Sequence, residues 1–120
     1  MEHVAILGAS NNPTRYAYKA QVMLAENGHS VYPVSLKEKE VLGTESVPSL
    51  SDIKQQIDTV TVYINPQSFH AVVNDILDLK PKRVIFNPGS ESPEDMKLIA
   101  QKGINIEAAC TLVLLGTNQY

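Results

Sequence analysis

The sequence predicts a three-layer α/β fold, a doubly wound parallel sheet of about five to six strands in a single domain covering residues 1–120. Three observations carry this. Short apolar runs such as VAILG (residues 4–8) have no alternation, as strands buried on both faces require. Strand-like runs alternate with helical ones along the whole chain, the pattern of a parallel sheet with helices on both sides. The chain has 120 residues, of which 43% are apolar and 19% charged, enough for one core and too few for two ordinary domains.

The first strand ends at Gly8. Residues 16–27 follow at mostly helical spacing, with Ala17, Ala20, Val22, Met23, Leu24 and Ala25, and Gly28 suits the position just past a helix C-terminus. HSVYPV is the second strand. Residues 35–42 are polar, with Lys37, Glu38, Lys39 and Glu40 read as a solvated loop. A brief edge strand is expected at residues 45–47, where Pro48 fits an exit. SLSDIKQQ makes one or two helical turns. TVTVYI (residues 59–64) is a β-branched strand ending at Asn65-Pro66. Residues 68–79 form an amphipathic helix, and residues 83–86 a strand broken by Asn87-Pro88-Gly89. Ser92-Pro93-Glu94-Asp95 is a helix start with a serine N-cap, proline at N1 and acids facing the dipole. That helix reaches about Lys102, Gly103 closes it, and residues 104–107 give the last strand. AACTLVLLG has no clear period and is expected to pack on the core as a closing segment. The architecture is Rossmann-like, with strand order 3-2-1-4-5 or a close variant. Ligands then sit at the carboxyl ends of the strands, where the order reverses. The loops after Leu7, Val34 and Ile64 converge there, with Phe86 nearby.

Composition narrows the function. There are 13 acidic and 10 basic residues, a net charge of −3, which argues against a broad nucleic-acid-binding face. One cysteine excludes an intrachain disulfide and a cysteine-based metal site. No apolar run approaches the roughly 18 residues of a membrane span, and the start lacks the features of a signal peptide, so a cytoplasmic location is expected.

The loop at residues 8–15 (GASNNPTR) carries the strongest chemistry. A strand, a glycine turn and a helix start bring free N–H groups and a positive helix end together, a ready anion site. Ala9 and Ser10 are small enough for a ligand to approach the main chain, and the Ser10 hydroxyl adds a donor. Arg15 supplies a forked donor for phosphate, and Lys19, four residues on, is expected on the same helix face. Two cations near a helix start gain nothing from the dipole, so a bound anion would explain them. The bland alternative is a plain turn with solvated Arg15 and Lys19. The dinucleotide fingerprint GxGxxG would need glycines at positions 10 and 13, where Ser10 and Pro13 stand, and the P-loop pattern is also absent.

GASNNPTRYAYKAQVMLAENGHSVYPV resembles the start of the small CoA-binding domain proteins, usually GxSxxPxRxSxxxxxxLxxxGYxVxPVNPK, and is similar to the CoA-binding domain of the succinyl-CoA synthetase α-subunit. EVLGTESVPSLSDI resembles the family's EVLGxxxYPSLxDI, so the likeness covers nearly the whole chain. The resemblance implies a protein that binds coenzyme A or an acyl-CoA. Its pyrophosphate would meet Gly8, Ala9 and Ser10 in the loop that also holds Asn12 and Pro13, with Arg15 and Lys19 neutralising charge. Pro33, Val34, Ser35 and Lys37 would border the adenosine and its 3′-phosphate. Tyr63, Asn65 and Pro66 would border the ligand after the central strand, and Asn87 and Gly89 would lie near the pantetheine end. The family's Asn-Pro before the lysine is Ser35-Leu36 here, and its Asp-Arg-Cys near the last strand is Ala108-Ala109-Cys110. The synthetase's catalytic histidine belongs to a second domain that these residues do not include.

No nucleophile–base constellation emerges, so no catalytic residue is assigned and the chain reads as a binding module. An NAD(P)-linked oxidoreductase or sensor on the same fold is the alternative; the second strand lacks an acidic residue at its end to hold ribose hydroxyls. A receiver-like signalling domain is set aside because the first strand ends in Leu7-Gly8. Cys110 reads as a buried structural cysteine, since neither a basic residue nor a helix start flanks it. His3, His29 and His70 have no metal-like spacing. His70 follows the Asn65-Pro66 loop and is the one histidine within reach of a ligand there. Asp75 and Asp78 read as a polar face, and Tyr16 and Tyr18 flank the first helix start. Partner subunits and oligomeric state are not legible in the residues.

Overall fold

The computed structural model describes residues 1–120. Five parallel strands form the central sheet: β1 (His3–Leu7), β2 (Ser30–Val34), β5 (Thr59–Val62), β6 (Arg83–Phe86) and β7 (Asn105–Ala108). Their order is β2-β1-β5-β6-β7, with Leu7 paired to Val34 on one side and Val62 on the other. Val47 makes a single parallel bridge to Val34. The expected third strand is therefore present as one residue on the outer edge of β2, and the expected order holds in this reduced form.

Strand β1 shows why its run does not alternate. Val4 and Ile6 enter one core, with Ala17 and Leu24 of α1 (Tyr16–Glu26) and Leu115 of α5 (Thr111–Gly116). Ala5 and Leu7 enter the other, beneath α2 (Pro66–Ala71), α3 (Val73–Leu79) and α4 (Pro93–Gln101). Alternate side chains leave opposite faces, and both faces are covered. Phe69 and Phe86 meet edge-on at 5.0 Å in the second core, a favourable aromatic arrangement.

Helix α1 ends as expected. Gly28 has φ +84°, its N–H donates to the Ala25 carbonyl and the His29 N–H to the Leu24 carbonyl. This pair of bonds closes the last turn. Ser92 precedes α4 and Pro93 opens it, but the Ser92 hydroxyl donates to Asp95 Oδ2 (3.0 Å) instead of capping the backbone.

Three segments differ from expectation. The polar stretch and Glu45, the first residue of the expected edge strand, enter a hairpin, β3 (Glu40–Val41) and β4 (Thr44–Glu45). Its two-residue turn, Leu42-Gly43, has φ +52° and +77°. Turns of this kind normally carry Asn or Asp first, so leucine hid it. The helix expected at residues 68–79 starts earlier and breaks in two at Val72. Asn65 is the N-cap, its Oδ1 accepting from the Ser68 N–H, and Pro66 stands at N1. The closing segment contains α5, so Cys110 does stand at a helix start and is half-buried, not fully enclosed. That helix start was not legible in the residues because six positions are too few to show a helical period.

At the opposite end of the sheet from the loops that follow the strands, Arg83 joins Glu2 (3.2 Å) and Glu107 (3.1 Å) and lies 4.5 Å from the centre of the Tyr120 ring. This network ties β6 and β7 to the start of β1. No helix is long and apolar enough to cross a membrane.

Candidate functional site

A cleft of about 410 Å³ opens at the carboxyl ends of β1, β5 and β6. Volumes of a few hundred Å³ suit small-molecule sites. Its walls are the turn Gly8, Ala9 and Ser10, the helix start Arg15, Tyr16 and Ala17, the segment Val62 to Asn65, and Pro88 to Ser90, with Lys37 reaching in from the loop after β2. Arg15 and Lys37 are the only charged residues among them, and no aspartate, glutamate, histidine or cysteine lines the cleft.

Gly8 is forced by two constraints at once. Its φ is +97°, and a Cβ there would lie 2.9 Å from Ile64 Cγ2 and 3.2 Å from the Tyr63 carbonyl. Only glycine lets β1 turn this tightly against β5. The expectation that the Gly8 and Ala9 amides are free for an anion does not hold. Both donate to the Val34 carbonyl, at 3.1 and 3.0 Å. The unbonded donors lie further along, at Ser10 and Asn11 in the loop and at Tyr16, Ala17 and Tyr18 in the first turn of α1. Arg15 is the N-cap residue and makes no side-chain capping bond.

Of the residues singled out in the sequence, Gly8, Ala9, Ser10, Arg15, Lys37, Tyr63, Asn65 and Gly89 come together on the cleft wall. The others do not. Asn12 Oδ1 accepts from the Thr14 N–H and hydroxyl, and its carbonyl accepts from the Arg15 N–H, so with Pro13 it shapes the loop. Lys19 leaves the cleft: it lies 5.6 Å from the centre of the Tyr16 ring and beside an apolar groove with Tyr18, Val22, Met23 and Leu112. The four-residue rule fails here because Arg15, at φ −81° and ψ 142°, is not yet helical. Pro33 and Val34 are buried behind the wall, and their carbonyls tie the Val47 segment and the Gly8 turn. Ser35 Oγ accepts from the Lys37 and Glu38 amides, which turns the chain at the point where the family pattern has Asn-Pro. Pro66 starts α2 away from the wall.

Asn87 is the largest change of role. It is 3% exposed. Its Nδ2 donates to Thr61 Oγ1 (2.7 Å) and the Val62 carbonyl (2.9 Å), and its Oδ1 accepts from the Thr111 N–H (2.9 Å). With both donors and the oxygen engaged, it joins the ends of β5 and β6 to α5, and it does not line the cleft. Tyr63 is the reverse case. It is on the wall, but its side chain packs against the core with Val4 and Ile6, its hydroxyl is buried without a hydrogen-bond partner, and burial pushes the phenol up to about 12.

His70 does not line the cleft. Its Nδ1 sits 2.9 Å from Asp95 Oδ1, linking α2 to α4. The hydrogen bond to Asp95, then its charge, raises the imidazole above its ordinary value of 6.5. A raised folded value means that the pair stabilises fully below the unfolded value and loses this as pH rises through the folded one. His70→Gln should therefore lower Tm relative to the unsubstituted protein at pH 5.5 and leave it nearly unchanged at pH 8.5. An equal loss at both values would exclude the charged pair.

The sheet order, the glycine turn after β1 and the cleft at the strand ends define a Rossmann-like domain, in which this crevice is the ligand position. The sequence pattern of the family described as CoA binding domain matches residues 2–116. The chain belongs to the CoA-binding domain family, and coenzyme A is the ligand class that this membership supports. It is similar to the α subunit of acetate–CoA ligase (ADP-forming) II of Pyrococcus furiosus, 34% identical over 67 residues. That match covers 55% of this chain and 14% of the ligase subunit, so the chain corresponds to a small part of its curated relative. A crystal structure of an uncharacterized protein is 43% identical, with a TM-score of 0.95 over 100% of this chain and 98% of the other. A hypothetical protein from Pyrococcus horikoshii is 30% identical, with a TM-score of 0.90 over 97% and 82%.

Proposed function

We propose that this domain binds coenzyme A or an acyl-CoA in the cleft beside Gly8, without chemistry of its own. The observation that carries this is the pairing of Arg15 and Lys37 across a cleft with no acidic residue. The diphosphate would lie at the start of α1, taken by the free Ser10, Tyr16 and Ala17 amides and the Arg15 guanidinium. Helix dipole, N–H donors and a forked cation then act on one group of oxygens. Lys37 would take the 3′-phosphate as a point charge. The pantetheine arm would run between the Val62–Ile64 segment and the Pro88–Ser90 turn, where Val62, Ile64 and Pro88 offer apolar surface. An acyl group would extend from that end.

Two substitutions test the assignment. Arg15→Ala should weaken CoA binding by about 1.5–3 kcal/mol, the range for a charged hydrogen bond. Lys37→Ala should weaken CoA binding but leave dephospho-CoA binding nearly unchanged. Equal losses for both ligands would remove Lys37 from the 3′-phosphate, and an unchanged dissociation constant in Arg15→Ala would remove the diphosphate from α1. Binding of NADP but not CoA would move the protein to the dinucleotide-linked alternative.

A further inference from the structure

Asn11 is absent from the cleft wall, yet its side chain makes more long-range bonds than any other residue of the 8–15 loop. Its Nδ2 donates to Glu38 Oε2 (2.8 Å) and to the Glu40 carbonyl (2.8 Å), and its Oδ1 accepts from the Leu42 N–H (3.1 Å). Only one orientation of the amide satisfies this, because a flip would set Oδ1 against a carboxylate and a carbonyl. The partners lie on the segment that leads from Lys37 into the β3–β4 hairpin. That hairpin is fixed from beneath as well: Val41 is fully buried, and Gln21 of α1 donates to its carbonyl at 3.0 Å. Asn11 thus bonds the loop carrying Ser10 and Arg15 to the segment carrying Lys37. It also holds the turn residue Leu42, whose φ of +52° is unfavourable for leucine. Glu38, the acidic neighbour of Lys37, is held by the same amide.

We propose that Asn11 is a positioning residue for the anionic ligand, acting through two effects. It fixes the separation of the two cationic walls before the ligand arrives, which lowers the ordering cost of binding. It also engages the Glu38 carboxylate, which would otherwise be free to pair with Lys37 or repel a phosphate. This proposal rests on the reading of the cleft as a CoA site, and its test separates the two.

The first measurement needs no ligand. Amide hydrogen exchange of Leu42 in the free protein should speed up several-fold in Asn11→Ala, with Tm changed by no more than a few degrees, as expected for a local opening. Unchanged exchange at Leu42 would overturn this tie between the loop and the hairpin, the Asn11 clasp. The second is the dissociation constant for CoA by calorimetry. Asn11→Ala should weaken it about fivefold, the ordering cost of roughly one immobilised side chain. Asn11→Asp sets two carboxylates side by side and should weaken it further. Adding Glu38→Gln to Asn11→Asp should restore most of the affinity, which a merely structural role of Asn11 would not. Wild-type affinity in Asn11→Ala, or no recovery in the double variant, would overturn the positioning role while leaving the CoA reading intact. Failure of the unsubstituted protein to bind CoA would overturn the reading of the cleft and the positioning role that rests on it; the clasp itself is still decided by Leu42 exchange.

Discussion

Asn87→Ala is expected to destabilise the protein by about 3 kcal/mol, because it strips hydrogen bonds from a dry junction where each unsatisfied group costs 1–3 kcal/mol. The substitution removes the partner of the Thr111 N–H, the first amide of α5, and both donations to β5. Thr61 and Thr111 are fully buried, so water cannot replace what is lost. The Thr61–Thr111 hydroxyl bond (2.9 Å) survives and leaves part of the junction intact. Urea unfolding should show a lower midpoint with an unchanged slope, and Tm should fall by roughly 10 °C for a domain of this size. Because Asn87 is buried and does not line the cleft, the affinity of the folded protein for CoA should change little. A loss below 1 kcal/mol would show that the junction is not closed to water. A large loss of affinity with normal stability would return Asn87 to the ligand site.

Gly8→Ala is the second large effect, about 2–3 kcal/mol of stability from a strained φ together with a steric clash. The clash is with the flexible end of Ile64 on one side and the Tyr63 backbone on the other, and the backbone cannot yield without moving β5. Gly89→Ala is the control. It has a similar φ of +92°, but a Cβ there meets nothing within 4 Å. It should cost only the conformational part, about 1–2 kcal/mol. Gly8→Ala should also reduce CoA binding at temperatures where it is folded, since the Gly8 turn is itself a wall of the cleft. Equal costs at the two glycines would mean that the strand packing at Gly8 relaxes freely.

The two glycines also show which parts of the molecule were legible in its sequence. Helix ends and strand runs are local. Gly28 and Pro93 state their roles within four residues, and the apolar runs of β1, β5 and β6 state that both faces are covered. The sheet order followed from these. The site was legible as a set of loops and less so as a set of atoms. Gly8, Ser10, Arg15 and Lys37 reached the wall, but the Gly8 and Ala9 amides were claimed by the Val34 carbonyl of a neighbouring strand, a bond between residues 26 and 25 positions apart. Lys19 missed the cleft because one residue, Arg15, stood outside the helix. Asn87 looked like a loop residue beside a ligand. Its partners Thr61 and Thr111 lie 26 and 24 residues away and gave no local signal. The β3–β4 hairpin depends in the same way on Asn11 and Gln21. Asn11 adjoins a second asparagine in a glycine-started loop, a hint of turn chemistry, but its reach of some 30 residues could not be read from that.

The central claim is that the cleft at Gly8 holds coenzyme A. Thermal denaturation of the purified protein with saturating CoA, dephospho-CoA, acetyl-CoA, NAD and NADP tests it most directly. A ligand at about 100 times its dissociation constant adds about 2.7 kcal/mol, which should raise Tm by roughly 10 °C. The account predicts that shift with CoA and acetyl-CoA, a smaller one with dephospho-CoA, and none of comparable size in Arg15→Ala at the same concentration. No shift with CoA, or one that persists in full in Arg15→Ala, would contradict it.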